Sequence, residues 1–139
     1  MASTTVDAVF AAPRDVVYRF FVEREGIDPY LPLQVTLKKP GLTETHSVGA
    51  QHVFGFRGVG ITEEITELVP NEKMVYKIIK GAPVKRHVGT IVFSDADGGT
   101  KVSYTMESDP KLPVPAKVLE LGLKQLITQF LNGARKGLR

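Results

Sequence analysis

The chain contains no cysteine and no tryptophan, and it has only three histidines among its 139 residues. The absence of cysteine excludes disulfide bonds, thiolate metal ligands and a cysteine nucleophile. A chain without cysteine is compatible with a reducing compartment, and we expect a cytoplasmic protein.

Long apolar runs are absent as well. No uninterrupted apolar segment of this sequence approaches the ~18 residues that a membrane-spanning helix needs. The first five residues contain no basic residue ahead of their short apolar stretch, unlike a secretory signal peptide. We therefore expect no integral association with a membrane.

The charges show only a weak excess of one sign. The formal net charge is +3, and 24% of the residues are charged against 42% hydrophobic, the balance of an ordinary soluble globular protein. A nucleic-acid binder concentrates Lys and Arg on one face and interleaves aromatic residues. Here Glu63, Glu64, Glu67 and Glu72 interrupt the basic segments. We expect no nucleic-acid partner, and the length predicts one domain over residues 1–139.

The three histidines do not form a metal motif. His46, His52 and His87 are far apart in the sequence, and the spacing His-x-x-x-His does not occur. Glu63 as a third ligand beside His52 and His87 would still leave this set without a recognisable spacing. We predict no metal site, and we regard His52 and His87 as candidate general bases near neutral pH.

The glycines and serines do not form a cofactor or nucleophile motif either. The glycines at positions 55, 58 and 60 precede no predicted helix, and Glu63 stands where a dinucleotide fingerprint requires its last glycine. No serine lies in a nucleophile-elbow context. The sequence predicts no cofactor and disfavours dehydrogenase and hydrolase functions.

Most of the chain alternates apolar and polar residues with the period of a strand. A short amphipathic helix interrupts this pattern after Pro13, and a second short helical turn is predicted within Glu23–Pro32. The segments with strand character are Thr4–Phe10, Leu33–Lys38, Val48–Phe56, the segment anchored by Ile61, Ile65 and Leu68, Lys73–Lys80, Val84–Phe93 and Thr100–Glu107.

A long amphipathic helix is predicted from about Pro115 to Arg135. One apolar stripe of this helix is expected to face the sheet, and it consists of Leu119, Leu123, Leu126, Ile127, Phe130 and Ala134. A sheet of consecutive hairpins followed by one long helix predicts an α+β fold. In it, a curved antiparallel sheet of six to seven strands wraps around the C-terminal helix.

Four segments carry a resemblance to a known family: Val6–Phe21 (VDAVFAAPRDVVYRFF), Val48–Gly58 (VGAQHVFGFRG), Ile61–Ile78 (ITEEITELVPNEKMVYKI) and Asp97–Met106 (DGGTKVSYTM). The chain resembles the START-like (Bet v 1-like, SRPBCC) superfamily, and within it the bacterial polyketide cyclase/dehydrase and lipid-transport branch. The resemblance implies a helix-grip fold with two short helices after the first strand, and a hydrophobic small-molecule ligand. It brings no catalytic motif.

The strand pattern predicts which side chains face the helix. The candidate ligand-binding residues are His52, Phe54, Phe56, Tyr76, His87, Ile91, Phe93, Tyr104, Met106, Leu123 and Ile127. Because buried imidazole and phenol groups need hydrogen-bond partners, the polar members favour either an internal network or a pocket for a polar ligand. Glu63 shares its side of the strand with Ile61 and Ile65, so it belongs either to a solvated face or, unusually for a carboxyl group, to the interior.

Three functions remain open at this stage. The first is binding, transport or sequestration of a hydrophobic small molecule between sheet and helix. The second is a cofactor-independent cyclase or dehydratase that uses His87, Tyr76 and Tyr104 as candidate catalytic residues. The third is an interaction or stress-response module with a packed interior. We expect a monomer or a weak homodimer.

Overall fold

The computed structural model describes residues 2–31, 33–57 and 59–138. Its elements, in chain order, are β1 (Ala2–Phe10), α1 (Arg14–Val22), a 3₁₀ helix (Arg24–Tyr30), β2 (Gln34–Lys39), β3 (Gln51–Phe56), β4 (Val59–Val69), β5 (Lys73–Lys80), β6 (Val84–Ala96), β7 (Gly99–Pro110) and α2 (Ala116–Gly137). The residues outside these ranges are Met1, Pro32, Gly58 and Arg139. The two ends of the predicted single domain therefore lie outside the described residues.

The strands form a seven-stranded sheet in the order β1-β7-β6-β5-β4-β3-β2. Every neighbouring pair is antiparallel. Strands β2 to β7 follow one another as consecutive neighbours, whereas β1 pairs with β7 at the far edge. The segment from α1 to the 3₁₀ helix therefore connects the two edges of the sheet. This architecture confirms the predicted helix-grip fold.

The two short helices have local causes in the sequence. Helix α1 follows Pro13, carries Asp15 in its first turn and buries Val17 and Phe21, as expected of a short amphipathic helix. The predicted second helical turn is a 3₁₀ helix that contains Pro29. Proline removes a backbone donor, which limits this segment to a short, tightly wound helix.

Helix α2 packs mainly against β1 and the 3₁₀ helix. Its buried residues are Leu123, Ile127, Leu131, Gly133 and Ala134. Leu126, which the sequence pattern placed in the inward stripe, is 45% exposed, so that assignment is wrong. With 3.6 residues per turn, Leu126 lies about 100° around the helix from Ile127, at the border of the buried face.

The concave face of the sheet forms most of the core. Cross-strand pairs put Tyr76 opposite Gly89, and Ile91 opposite both Met74 and Tyr104. The predicted inward residues that the structure buries are His52, Phe54, Tyr76, His87, Ile91, Phe93, Tyr104, Met106, Leu123 and Ile127. Their inward orientation is confirmed. Their contact with a ligand stays a prediction.

Phe56 is the exception, because it is 62% exposed. It is the last residue of β3, and the pairing of β3 with β2 ends one residue earlier, at Gly55 opposite Gln34. Neighbouring strand β2 does not extend far enough to cover the Phe56 ring. The prediction that Phe56 belongs to the interior is therefore wrong.

Candidate functional site

A buried ion pair lies between the sheet and the helices. Arg24, the first residue of the 3₁₀ helix, is only 3% exposed, and Glu63 on β4 is 8% exposed. Arg24 Nη2 donates a hydrogen bond of 2.6 Å to Glu63 Oε1. Of the two orientations that the sequence allowed for Glu63, the structure shows the inward one.

Aromatic rings surround the Arg24 guanidinium group. Its central carbon lies 4.7 Å from the centre of the Tyr76 ring, 4.9 Å from that of Phe54 and 5.6 Å from that of Phe130. These rings come from β5, β3 and α2. The negative faces of aromatic rings attract a cation, so they partly replace the water that Arg24 loses on burial. The guanidinium thus connects both helical segments to the sheet.

Two tyrosine hydroxyl groups meet beside this ion pair. The hydroxyls of Tyr76 and Tyr104 are hydrogen-bonded to each other, and their rings stand edge to face with centres 6.3 Å apart. Tyr76 reaches across β6 because residue 89 is glycine. A Cβ atom at Gly89 would overlap the Tyr76 ring. The contact between the two tyrosines therefore requires glycine at position 89.

Burial makes both phenols harder to deprotonate than exposed tyrosines. It raises the pKa of Tyr76 well above its ordinary value. It also raises the pKa of Tyr104, to about 12, although the positive charge of Arg24 opposes the shift. We refer to Arg24, Glu63, Tyr76 and Tyr104 as the buried polar cluster.

The ion pair itself carries both charges. Burial disfavours the charged form of each partner. The pKa of Arg24 is nevertheless raised, because Glu63 and the two tyrosines together outweigh the lowering effect of burial. The pKa of Glu63 is raised by burial, against the attraction of Arg24. A guanidinium stays protonated in proteins. Because a neutral Glu63 would leave this buried cation uncompensated, we treat the pair as ionised.

The buried histidines lie at different places on the sheet. His87 is on β6, two residues before Gly89 and so on the same face, at about 7 Å along the strand. Burial lowers its pKa, which makes it neutral at neutral pH. His52 is on β3, opposite Glu63 on β4, and its ring stacks on that of His46 with centres 6.1 Å apart.

The predicted site residues thus separate into two groups. Tyr76, Tyr104 and Phe54 belong to or contact the buried polar cluster. Phe93 instead packs against α1, with its ring centre 5.4 Å from that of Tyr18 and 5.8 Å from that of Phe21. Tyr76, Tyr104 and Phe93 belong to one cluster of buried apolar residues, and Phe54 belongs to a second.

Arg24 is the residue that sequence reasoning missed. It stands in a segment with no clear period, where a basic residue gives no sign of burial. The one available signal was the inward position of Glu63, because a buried carboxylate requires a cationic or hydrogen-bonding partner.

Three clefts lie at the surface of the described part of the chain. One of 660 Å³ lies between α1 and the loop 43–47 and is lined largely by polar residues. Two others, of 530 Å³ and 390 Å³, flank the first half of α2. None of these three clefts is lined by the predicted ligand-binding residues.

Two further features concern metals and membranes. Among residues 2–31, 33–57 and 59–138, no group of three or more His, Asp or Glu side chains is placed to hold a metal ion. Over the same ranges, no helix combines the length and apolar character needed to cross a membrane.

Comparisons with solved structures agree with this architecture. A START superfamily protein from Mycobacterium smegmatis matches with a TM-score of 0.82 at 9% identity, over 99% of this chain and 97% of that one. Protein CV1439 from Chromobacterium violaceum matches with a TM-score of 0.66 at 23% identity, over 96% of both chains. The Aha1 dimer from Colwellia psychrerythraea matches with a TM-score of 0.71 at 16% identity, over 99% of this chain and 96% of that one. At these identities the likeness concerns the fold alone.

Comparison at the level of sequence families is more specific. No curated protein sequence matches the chain. The family model described as polyketide cyclase / dehydrase and lipid transport matches residues 1–138. The chain therefore belongs to the polyketide cyclase / dehydrase and lipid transport family.

Proposed function

We propose that the protein binds a hydrophobic small molecule between the sheet and α2, with a polar oxygen of the ligand against the buried polar cluster. The family and the fold are those of domains that bind hydrophobic ligands or cyclise polyketides. We propose in addition where the ligand binds and that one end of the ligand is polar.

One observation carries this proposal. The Tyr76 and Tyr104 hydroxyls hold two protons, and their mutual hydrogen bond uses one of them. Both hydroxyl oxygens have partners in the described part of the chain, since Tyr104 also forms a hydrogen bond with Arg24. A carbonyl, carboxylate or phenol oxygen of a ligand would accept a hydrogen bond from the second O–H group.

The ion pair supports the same conclusion. A buried ion pair is often no more stabilising than apolar residues of the same volume, because both charges lose their hydration. The interior therefore contains an expensive polar group without a clear gain in stability. Beside a ligand oxygen, Arg24 would supply further N–H donors, since the guanidinium has five and Glu63 accepts from one nitrogen.

Entry of a ligand requires α2 to move away from the sheet. The first third of α2 is suited to this movement, because within Ala116–Gly122 every residue except Leu119 is exposed. Few buried contacts hold such a segment in place, and opening there costs less than opening the core. The apolar body of the ligand would then contact Met106, Leu123 and Ile127.

The test compares ligands that differ by one oxygen. Calorimetric titration with 2-naphthol and with naphthalene should show that the wild type prefers 2-naphthol. In the double variant Tyr76→Phe with Tyr104→Phe, the affinity for 2-naphthol should fall about tenfold, and that for naphthalene should stay the same. Tyr30→Phe is the matched control, since Tyr30 is 39% exposed. An equal affinity for 2-naphthol in the double variant and the wild type would contradict the proposed site.

A cyclase or dehydratase is the second candidate, and the protonated state of the tyrosines favours it. A neutral phenol donates a hydrogen bond to a carbonyl oxygen as negative charge develops there. His87, whose pKa burial lowers, would take the proton from the neighbouring carbon as a general base. With a poly-β-carbonyl substrate, His87→Ala should abolish turnover while binding is retained. Unchanged turnover would remove His87 from the mechanism.

A further inference from the structure

The first part of α2 and the segment before it expose a group of apolar side chains. Leu112 is 67% exposed, Val114 39%, Val118 58% and Leu121 65%. Val118 precedes Leu121 by three residues on α2, so these two share one side of the helix. Leu112 and Val114 lie in the segment just before the helix and line one cleft. We refer to these four residues as the α2 apolar patch. Exposed apolar side chains grouped in this way are typical of interaction sites.

Lysines border this patch. The exposed ones are Lys85, Lys111, Lys117 and Lys124. Lys85 and Lys111 line the 390 Å³ cleft together with Leu112 and Val114, and Lys117 and Lys124 line the 530 Å³ cleft together with Leu121. The acidic residues in these two clefts are Asp109 and Glu120, so positive charge predominates around the patch.

We propose that the α2 apolar patch docks on the surface of an anionic phospholipid membrane. An apolar helix face bordered by lysines matches the two layers of such a surface, with the apolar side chains at the acyl boundary and the ammonium groups among the phosphates. This is peripheral binding to the surface. It does not depend on the proposed function, because the patch lies outside the buried polar cluster and binds vesicles whether or not the interior holds a ligand.

Charge complementarity favours a membrane over a second copy of this chain. In a symmetric dimer built on the patch, the same surface meets itself. The four lysines of one copy would then lie against the four of the other, and like charges in an interface are unfavourable. An anionic lipid surface supplies the opposite charge across the whole patch.

Co-sedimentation with phospholipid vesicles tests the proposal on the full chain without added ligand. The wild type should sediment with phosphatidylcholine vesicles that contain phosphatidylglycerol, and this binding should weaken in high salt. It should bind vesicles of phosphatidylcholine alone much less.

Two variants separate the apolar and the charged contributions. Val118→Gln with Leu121→Gln removes the apolar contact, and its control, Leu42→Gln with Val92→Gln, changes exposed apolar residues elsewhere. Lys117→Gln with Lys124→Gln removes two charges, and Lys38→Gln with Lys77→Gln is its control with the same net charge. Each patch variant should reduce binding to the mixed vesicles about tenfold, whereas each control should bind like the wild type.

Three results would overturn the proposal. The first is absence of wild-type binding to the mixed vesicles, and the second is an equal loss of binding in patch and control variants. The third is a dimer by light scattering that Val118→Gln with Leu121→Gln converts to a monomer while vesicle binding is unchanged. That third result would assign the patch to a second copy of the chain.

Discussion

Arg24 and Glu63 depend on each other for their burial. Each is acceptable in the interior because the other is 2.6 Å away. Removing one partner leaves an uncompensated charge, whereas removing both leaves an apolar space that other side chains fill. The stability of the protein should therefore respond very differently to single and double replacement.

We expect Glu63→Leu to lower the free energy of unfolding by about 3–5 kcal/mol, the range for a broken buried ion pair. Arg24→Met combined with Glu63→Leu should recover most of this loss. Urea denaturation monitored by circular dichroism measures both. Lys73→Met is the matched control, because the side chains of the Lys73–Glu67 pair are 38% and 49% exposed and the pair should contribute at most about 1 kcal/mol. A small effect of Glu63→Leu would show that Arg24 does not depend on Glu63 for its burial.

The alternation of side chains along each strand predicted from the sequence that the tyrosines and histidines of the interior point inward. Glu63 was the one charged residue that this alternation left with either an inward or an outward orientation. The alternation failed at Phe56 because it gives the face of a residue but not the length of the neighbouring strand. It could not detect Arg24, since a 3₁₀ segment of seven residues is too short to show a period. Only the register of β3, β4 and β5 shows that an arginine reaches their inward face.

At the scale of elements, strands β5 and β6 pack through an asymmetric contact. Tyr76 on β5 lies opposite Gly89 on β6 and covers it. A glycine in a strand normally weakens it, and here its lack of a side chain provides the space for the tyrosine. Helix α2 also contains an interior glycine, Gly122, whose Cβ position is open.

These two glycines should respond in opposite directions to alanine. Gly89→Ala should destabilise the protein by about 1–3 kcal/mol, because the new methyl group displaces the Tyr76 ring. Gly122→Ala should stabilise it by up to about 1 kcal/mol through helix propensity. Thermal unfolding of both variants measures the difference. Stabilisation by Gly89→Ala would mean that the ring of Tyr76 moves away from β6 without cost.

The order of elements was predictable because most segments are long and strongly periodic. Helix α2, predicted from about Pro115 to Arg135, spans Ala116–Gly137. The hairpin of β6 and β7 turns where Asp97 and Gly98 stand, and Gly98 has the positive φ of 77° that favours glycine. The segment between α1 and β2 was only partly predictable, since Pro29 and the short length leave the type of helix undecided.

At the scale of the whole molecule, the packed interior controls the ionisation of the tyrosines. Unfolded tyrosines ionise near pH 10. In the folded protein the pKa of Tyr104 is about 12, and that of Tyr76 is raised well above its ordinary value. Because the folded state holds these protons more tightly, the associated stability is present below pH ~10 and is lost as the pH rises beyond it.

Alkaline titration should therefore couple ionisation to unfolding. The absorbance of tyrosinate at increasing pH should show Tyr76 and Tyr104 ionising only together with loss of the far-ultraviolet circular dichroism signal. The double variant Tyr76→Phe with Tyr104→Phe should show no such coupled step. If all four tyrosines ionised near pH 10 with the fold intact, water would have access to the interior.

Whether the inward side chains pack on one another or line a pocket was not predictable from the sequence. Apolar and aromatic side chains on the inward faces are equally consistent with a core and with a pocket, because both bury the same residue types. The difference depends on how deeply the helices lie on the sheet. In this structure the Arg24 guanidinium lies 5.6 Å from the centre of the Phe130 ring, a contact that depends on the three-dimensional arrangement of segments distant in sequence.

The pairing of β1 with β7 joins segments that are distant in sequence, since Ala2 lies opposite Ser108. During synthesis, β1 is made before the other strands of the sheet, and its partner β7 is made after them. Such long-range pairing costs loop-closure entropy before any contact compensates for it, so it slows folding. A nascent chain thus carries β1 as a strand without a neighbour until β7 has been made. Loss of β1 by proteolysis would leave β7 as an open edge, the kind of surface on which chains associate by adding strands.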